Sequence, residues 1–229
     1  MRILPHLRTL AFLCLAWACA INANGKEASA NLETLRAKAE KGDAVAQNDL
    51  GCLYENGEGV AVDFNEAAKW YRRAADQGHA MAQGNLGYLY LIGKGVEKNK
   101  VTAVDWWRKS ATGGCSGSMH NLGLAYKNGD GVEKNLAQAA MWFRLAALLG
   151  ESSAMVNLGM LHEKGEGVEK NPVKAYAYYK VAATMYDDAD GKQHGRALAG
   201  KLSADEKANA EIAVKTLKTE IANALKKTK

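Results

Sequence analysis

The hydrophobic pattern in the middle of the chain is helical, and it repeats. Ala82, Leu86, Leu89 and Tyr90 stand at i, i+4, i+7 and i+8, the stripe of an amphipathic helix. A second stripe follows, through Ala103, Trp106, Trp107, Ser110 and Ala111. The pair returns every 36 residues: Leu50, Leu86, Leu122 and Leu158 keep one phase, and Val60, Val96, Val132 and Val168 another. A fixed period of roughly 20–50 residues predicts a solenoid of stacked supersecondary units.

Polar and glycine positions punctuate each unit. Gly93 is placed to end the first helix in the left-handed C′ conformation, and Gly95 permits a second turn residue. Val96 is placed to plug the gap between the two helices. The second helix starts at Asn99, with Asp63, Asn135 and Asn171 as its equivalents, all side chains that cap helix N-termini. Pro172 then falls at the first helical position, where proline is best tolerated. Gly78, Gly114 and Gly150 close the second helix. Gly51, Gly87, Gly123 and Gly159 are different, because they sit inside the first helix, where glycine costs about 1 kcal/mol against alanine. Recurrence at one phase predicts a packing reason: the partner helix comes too close for a Cβ. The aromatic pairs of the second helix fill the space between repeats: Trp70 and Tyr71, Trp106 and Trp107, Trp142 and Phe143, Tyr178 and Tyr179.

These motifs, A-x-x-x-L-G-x-x-Y, G-x-G-V and A-x-x-W-[WY]-x-x-A-A at 36-residue spacing, resemble the Sel-one-like repeat, a relative of the tetratricopeptide repeat. The resemblance covers residues 43–186 as four repeats, 43–78, 79–114, 115–150 and 151–186. The departures are mild: His162 replaces the tyrosine, Tyr178 the tryptophan, and Ser110 an alanine. The resemblance implies an all-α, right-handed α-solenoid of helix–turn–helix units that acts as a protein-interaction scaffold or adaptor, without catalytic residues or a cofactor.

Caps complete the reading. Residues 31–42 align with the end of a second helix and make an N-terminal half repeat. Residues 187–229 supply C-terminal capping helices. A degenerate first helix covers residues 190–202. Ser203-x-x-Glu206 is a capping box opening a helix to about Leu225, striped by Val214, Leu217, Ile221 and Leu225. Terminal repeats of solenoids need such polar-faced capping. The tail lysines Lys226, Lys227 and Lys229 read as a solvated end rather than a membrane contact.

At the other terminus, Arg2 and Arg8 precede an apolar run from Leu10 to Ala20, the parts of a secretory signal over residues 1–21, cleaved after Ala20 or Ala23. The run falls short of the roughly 20 apolar residues of a membrane span. Secretion or a periplasmic location follows from that reading.

Charge changes the picture little. The formal net charge is +5, but residues 22–200 hold 21 basic and 21 acidic side chains. A neutral body argues against a nucleic-acid interface, which needs a concentrated basic stripe. Cys52 and Cys115 lie in different repeats at different phases and read as free thiols, and no metal-ligand spacing accompanies them. His79, His120, His162 and His194 share no i, i+4 spacing with each other or with cysteine, so no metal site is expected. The G-x-G loops do not extend to a phosphate-binding motif and read as helix caps. Some cysteine-rich relatives are β-lactamase-like or penicillin-binding, but no Ser-x-x-Lys occurs here.

What remains is a surface. Stacked helix pairs form a concave groove lined mainly by first helices. Positions of irregular type on that face are free to specify a protein or peptide ligand. The candidates are Asn48, Asn85, Tyr88, His120, Asn121, Leu124, Lys127, Asn157, Met160 and Glu163, and the mixed polar and apolar character suits a peptide more than a polyanion. Two roles stay open for Asn85, Asn121 and Asn157, which precede Leu-Gly: holding a peptide in the groove, as the resemblance to tetratricopeptide relatives implies, or bonding neighbouring backbone. Tyr88 and Met160 could equally pack between helices. Gly51, Gly87, Gly123, Gly159, Trp70, Trp106 and Trp142 are read as structural. Beside the scaffold stand two alternatives, the β-lactamase-like envelope protein and a bacterial factor secreted towards a host.

Overall fold

The computed structural model describes residues 25–227, with side chains from residue 32 onward. The signal-like stretch lies outside the described residues. Among them are eleven helices and no strand. They fall into two compact units, divided between Ser118 and Met119.

The first unit holds α1 (Gly25–Glu40), α2 (Ala44–Asn56), α3 (Phe64–Asp76), α4 (Ala80–Ile92) and α5 (Lys100–Thr112). Each packs on the next in the chain. The division between units falls within α6 (Ser116–Asn128). The second unit continues with α7 (Leu136–Leu148), α8 (Ser152–Lys164), α9 (Pro172–Met185), α10 (Ala189–Ala199) and α11 (Ala204–Lys227). Here α7 to α10 also pack in sequence, but α11 turns back to lie on α9 and touch α7.

The predicted caps are in place. Asp63 accepts from the backbone N–H of Asn65 and Glu66, Asn99 from Thr102, Asn135 from Gln138 and Asn171 from Lys174. Gly93 adopts φ +71° after α4 and its N–H donates to the Leu89 carbonyl. Gly95 follows at φ +68°, where a Cβ would stand 1.8 Å from the Phe64 carbonyl oxygen at the start of α3. Gly167 meets Leu136 at the start of α7 in the same way. These loops therefore need glycine for conformation and for room. Ser203 and Glu206 form the reciprocal box: the Ser203 N–H donates to Glu206 Oε2 at 2.8 Å, and the Glu206 N–H to Ser203 Oγ at 3.2 Å.

The in-helix glycines have one common reason. A Cβ on Gly51 would stand 2.6 Å from the Tyr71 ring, on Gly87 2.7 Å from Trp107, on Gly123 2.4 Å from Phe143, and on Gly159 2.6 Å from Tyr179. The second aromatic of each pair thus lies flat on the glycine of the preceding helix, and all four rings are buried. The first aromatic of the pair packs elsewhere. Arg72 sits 4.8 Å over Trp106 and donates to the Tyr90 hydroxyl, fastening α3 to α4 and α5. Ser110 explains its own departure from alanine. Its hydroxyl donates to the Ala80 carbonyl at 2.6 Å and pairs with Ser118 at 2.7 Å, and Gly84 leaves the space they fill.

The apolar stripe of α11 differs from expectation at its end. Ala210, Val214, Leu217 and Ile221 are buried, whereas Leu225 is 36% exposed. Helix α1 begins at Gly25, earlier than the half repeat read from residue 31. Neither Cys52 nor Cys115 forms a disulfide among the described residues.

Candidate binding face

The first helices carry an inter-repeat polar ladder. In the first unit, Asn85 Nδ2 donates to Asn48 Oδ1 at 3.2 Å, and Asn48 Nδ2 to Asp49 Oδ1 at 3.3 Å. In the second unit, Asn157 Nδ2 stands 3.3 Å from His120 Nε2. Both cross-repeat pairs are 37 residues apart. The asparagine before Leu-Gly therefore reaches one full repeat back and one place further. Asn157 makes a backbone bond as well, donating to the Ser153 carbonyl at 2.9 Å.

This ladder decides which candidates face outward. Asn48 is 2% exposed and His120 7%. Both are enclosed as partners of the next repeat's asparagine, so they position Asn85 and Asn157 and are closed to a ligand. Asn85, Tyr88, Asn121, Leu124, Lys127, Asn157, Met160 and Glu163 are half-buried. Met160 packs against the core of the second unit.

Beneath the face, a tyrosine from the second helix holds a glutamate of the first. Tyr71 donates to Glu55 Oε2 at 2.6 Å, and Tyr179 to Glu163 Oε2 at 2.9 Å, three repeats apart. Burial raises the Glu55 carboxyl and lifts the Tyr71 and Tyr179 hydroxyls well above their ordinary range. Tyr88 shifts upward too, through burial and then the Glu55 charge.

In the third repeat the glutamate phase is Lys127, over Phe143, which offers no hydroxyl. Lys127 Nζ donates instead to Asn157 Oδ1 at 2.9 Å. With that oxygen taken, the Asn157 amide nitrogen faces His120, so His120 Nε2 must accept and the ring must be neutral. Burial, with the Lys127 charge added, holds the His120 pKa down to about 4. Burial also lowers Lys127. Among the described residues no carboxylate lies within ion-pair distance of Lys127. Lys127 is thus a half-sequestered cation with hydrogen-bonding capacity to spare, steadied by Asn157.

Sequence reasoning missed two buried glutamines. Gln47 donates to the Ala39 carbonyl at 2.9 Å and Gln83 to the Ala75 carbonyl at 3.0 Å. Each satisfies a carbonyl near the end of the preceding helix. The signal was present as Ala-x-Ala-Gln at residues 44–47 and 80–83.

Four consecutive matches to the Sel1 repeat cover residues 44–79, 80–115, 116–151 and 152–187. The chain belongs to the Sel1 repeat family. Sel1 repeat proteins are typically non-enzymatic scaffolds that mediate protein–protein interaction. The structure is similar to that of c5321, a protective antigen present in uropathogenic Escherichia coli strains and displaying an SLR fold. The TM-score is 0.78 at 36% identity, over 86% of this chain and 42% of that one. A Sel1 repeat protein from Oxalobacter formigenes matches at TM-score 0.67 and 30% identity, over 88% of this chain and 83% of its own. In sequence, 44 residues are 48% identical to the secretory immunoglobulin A-binding protein EsiB of E. coli O6:H1, 19% of this chain and 9% of that protein. The chain therefore spans well under half the length of c5321, and a small part of EsiB is matched. The fold is the all-α repeat solenoid expected from the 36-residue period. Among the described residues no helix is long and apolar enough to cross a membrane.

Proposed function

We propose that this Sel1 repeat protein is a scaffold or adaptor that holds a peptide or protein segment on its first-helix face, in a secreted or periplasmic setting after loss of residues 1–21. The observation that carries the reading is Lys127, a half-buried ammonium beside Asn157 that feels the Glu166 charge but has no carboxylate at ion-pair distance among the described residues. An ammonium in that position gains most from an incoming carboxylate, because partial burial strengthens the pairing it now lacks. Leu124 on the same helix supplies apolar contact. An acidic side chain or a free C-terminus of an extended peptide has the required chemistry.

The reading is tested by equilibrium binding to an array of peptides varying in charge and C-terminal group. Retained peptides should be enriched in carboxylates near one end, and Lys127→Met should weaken them by about tenfold, the loss of one charge-assisted hydrogen bond. Equal retention by the variant would overturn it.

A second reading has its own support in the EsiB likeness: the ligand is a host protein of the immunoglobulin class. Titration of immobilised secretory immunoglobulin A separates the two, since only this reading requires saturable binding there.

A further inference from the structure

A cleft of about 660 Å³ opens between α7, α8, α9 and α11, wholly within the second unit. Its size is that of small-molecule sites, roughly 300–1,000 Å³. The walls are mixed, with an apolar part that includes Met141 of α7, Leu158 of α8, Ala177 of α9 and Ile212 of α11. Met141 is 44% and Ile212 64% exposed, although both face a space between packed helices. The first-helix face plays no part in it.

Charge surrounds these walls unevenly. Arg144 and Lys174 line the cleft, and neither has an ion pair among the described residues. Tyr178 lines it too, and its hydroxyl has no hydrogen-bond partner among the described residues. The Tyr178 ring stacks on His162 at 6.0 Å and 10°. His162 Nδ1 donates to the Glu169 carbonyl at 3.1 Å, which fixes the ring. Glu220 is the single acid among the lining residues. Two uncommitted cations and an uncommitted phenol beside a partly apolar cavity make an unfilled set of anion donors.

We propose that this cleft binds a small amphipathic monoanion, an acyl or aryl carboxylate. The carboxylate lies within reach of Arg144, Lys174 and the Tyr178 hydroxyl, and the apolar body covers Met141, Leu158 and Ile212. Guanidinium pairs with a carboxylate in bidentate fashion and stays charged at every relevant pH. A cationic amphiphile is disfavoured by the two-to-one excess of positive side chains. Glu220 opposes the anion and limits affinity, which gives the proposal a sign that a merely greasy cleft would lack.

Calorimetric titration of the full chain with dodecanoate, kept below micelle formation, tests this directly. Saturable one-to-one binding is expected, with an affinity in the region of about 10 μM. Arg144→Ala with Lys174→Ala should weaken it by at least about tenfold, and Glu220→Gln should tighten it a few-fold. Ile212→Asp should abolish it, and Lys127→Met should leave it unchanged, so failure here and failure of the peptide reading are distinguishable. Arg144, Lys174, Ile212 and Glu220 are exposed and Lys127 is half-buried, and far-UV circular dichroism confirms that each variant folds. No binding up to about 1 mM dodecanoate would overturn the proposal. So would equal affinity for dodecyltrimethylammonium, or indifference to loss of both cations.

Discussion

Each repeat is fastened by a glycine and the ring that lies on it. Gly87→Ala would drive a Cβ to 2.7 Å from Trp107 and 3.0 Å from the Ala103 carbonyl. Overpacking of this kind costs about 1–3 kcal/mol, more than the helix propensity gained. A matching fall in the denaturation midpoint is expected. Gly195→Ala is the control. It also lies in a helix, but its nearest neighbour would be Tyr179 Cβ at an ordinary 3.5 Å. That variant should be stabilised by up to about 1 kcal/mol. His120 gives a second residue-scale expectation. The unfolded chain takes up this proton near pH 6.5, whereas the native ring resists until about pH 4. Stability should therefore be unaffected above pH 6.5 and fall as pH drops through that window, by about 3 kcal/mol in all. Comparing urea midpoints of the wild type and His120→Gln across that range isolates the effect, because the variant lacks this slope. The glycine–aromatic contact was legible in the sequence, since both partners recur at fixed phases. The burial of Asn48 and His120 was not, because it depends on which side chain the next repeat sends over them.

Helices in this chain begin and end where local chemistry dictates, so their bounds were readable in advance. Asn135, Asn171 and the Ser203–Glu206 box act within one turn of their own helices and need no tertiary partner. Ser203→Ala removes one member of the box and should cost about 1 kcal/mol, measurable as a drop in the thermal midpoint. What the sequence could not disclose was the seat of α11. Its apolar stripe through Val214 and Ile221 announces burial against something, yet the stripe is equally compatible with continuing the stack. Only the packed structure shows it reversing onto α9 and α7. That reversal also creates the cleft that Ile212 lines, which is why the cleft had no counterpart in the sequence reading.

For the molecule as a whole, the legible part was the architecture and the obscure part the ligand. Periodicity over 36 residues is enough to identify the Sel1 family, because a packing unit must recur in sequence if it recurs in space. A recognition surface carries no such constraint, and the side chains proposed for it, Tyr88, Leu124 and Lys127, share no type. The charge of residues 22–200 is balanced, and the excess of the whole chain lies in residues 1–21 and 201–229. The chain should elute from heparin below about 0.2 M salt, since few phosphate-like contacts can form at once. Retention well above that would refute the exclusion of polyanionic partners.

The socket over the in-helix glycine accepts Tyr71, Trp107, Phe143 and Tyr179 alike. A joint that tolerates three kinds of ring is indifferent to which copy supplies it. Tandem duplication of a single 36-residue block would present the same mating parts at both ends, so a gene of this kind can grow or shrink by whole units while its product still folds. Length then becomes a trait open to selection independently of any one contact.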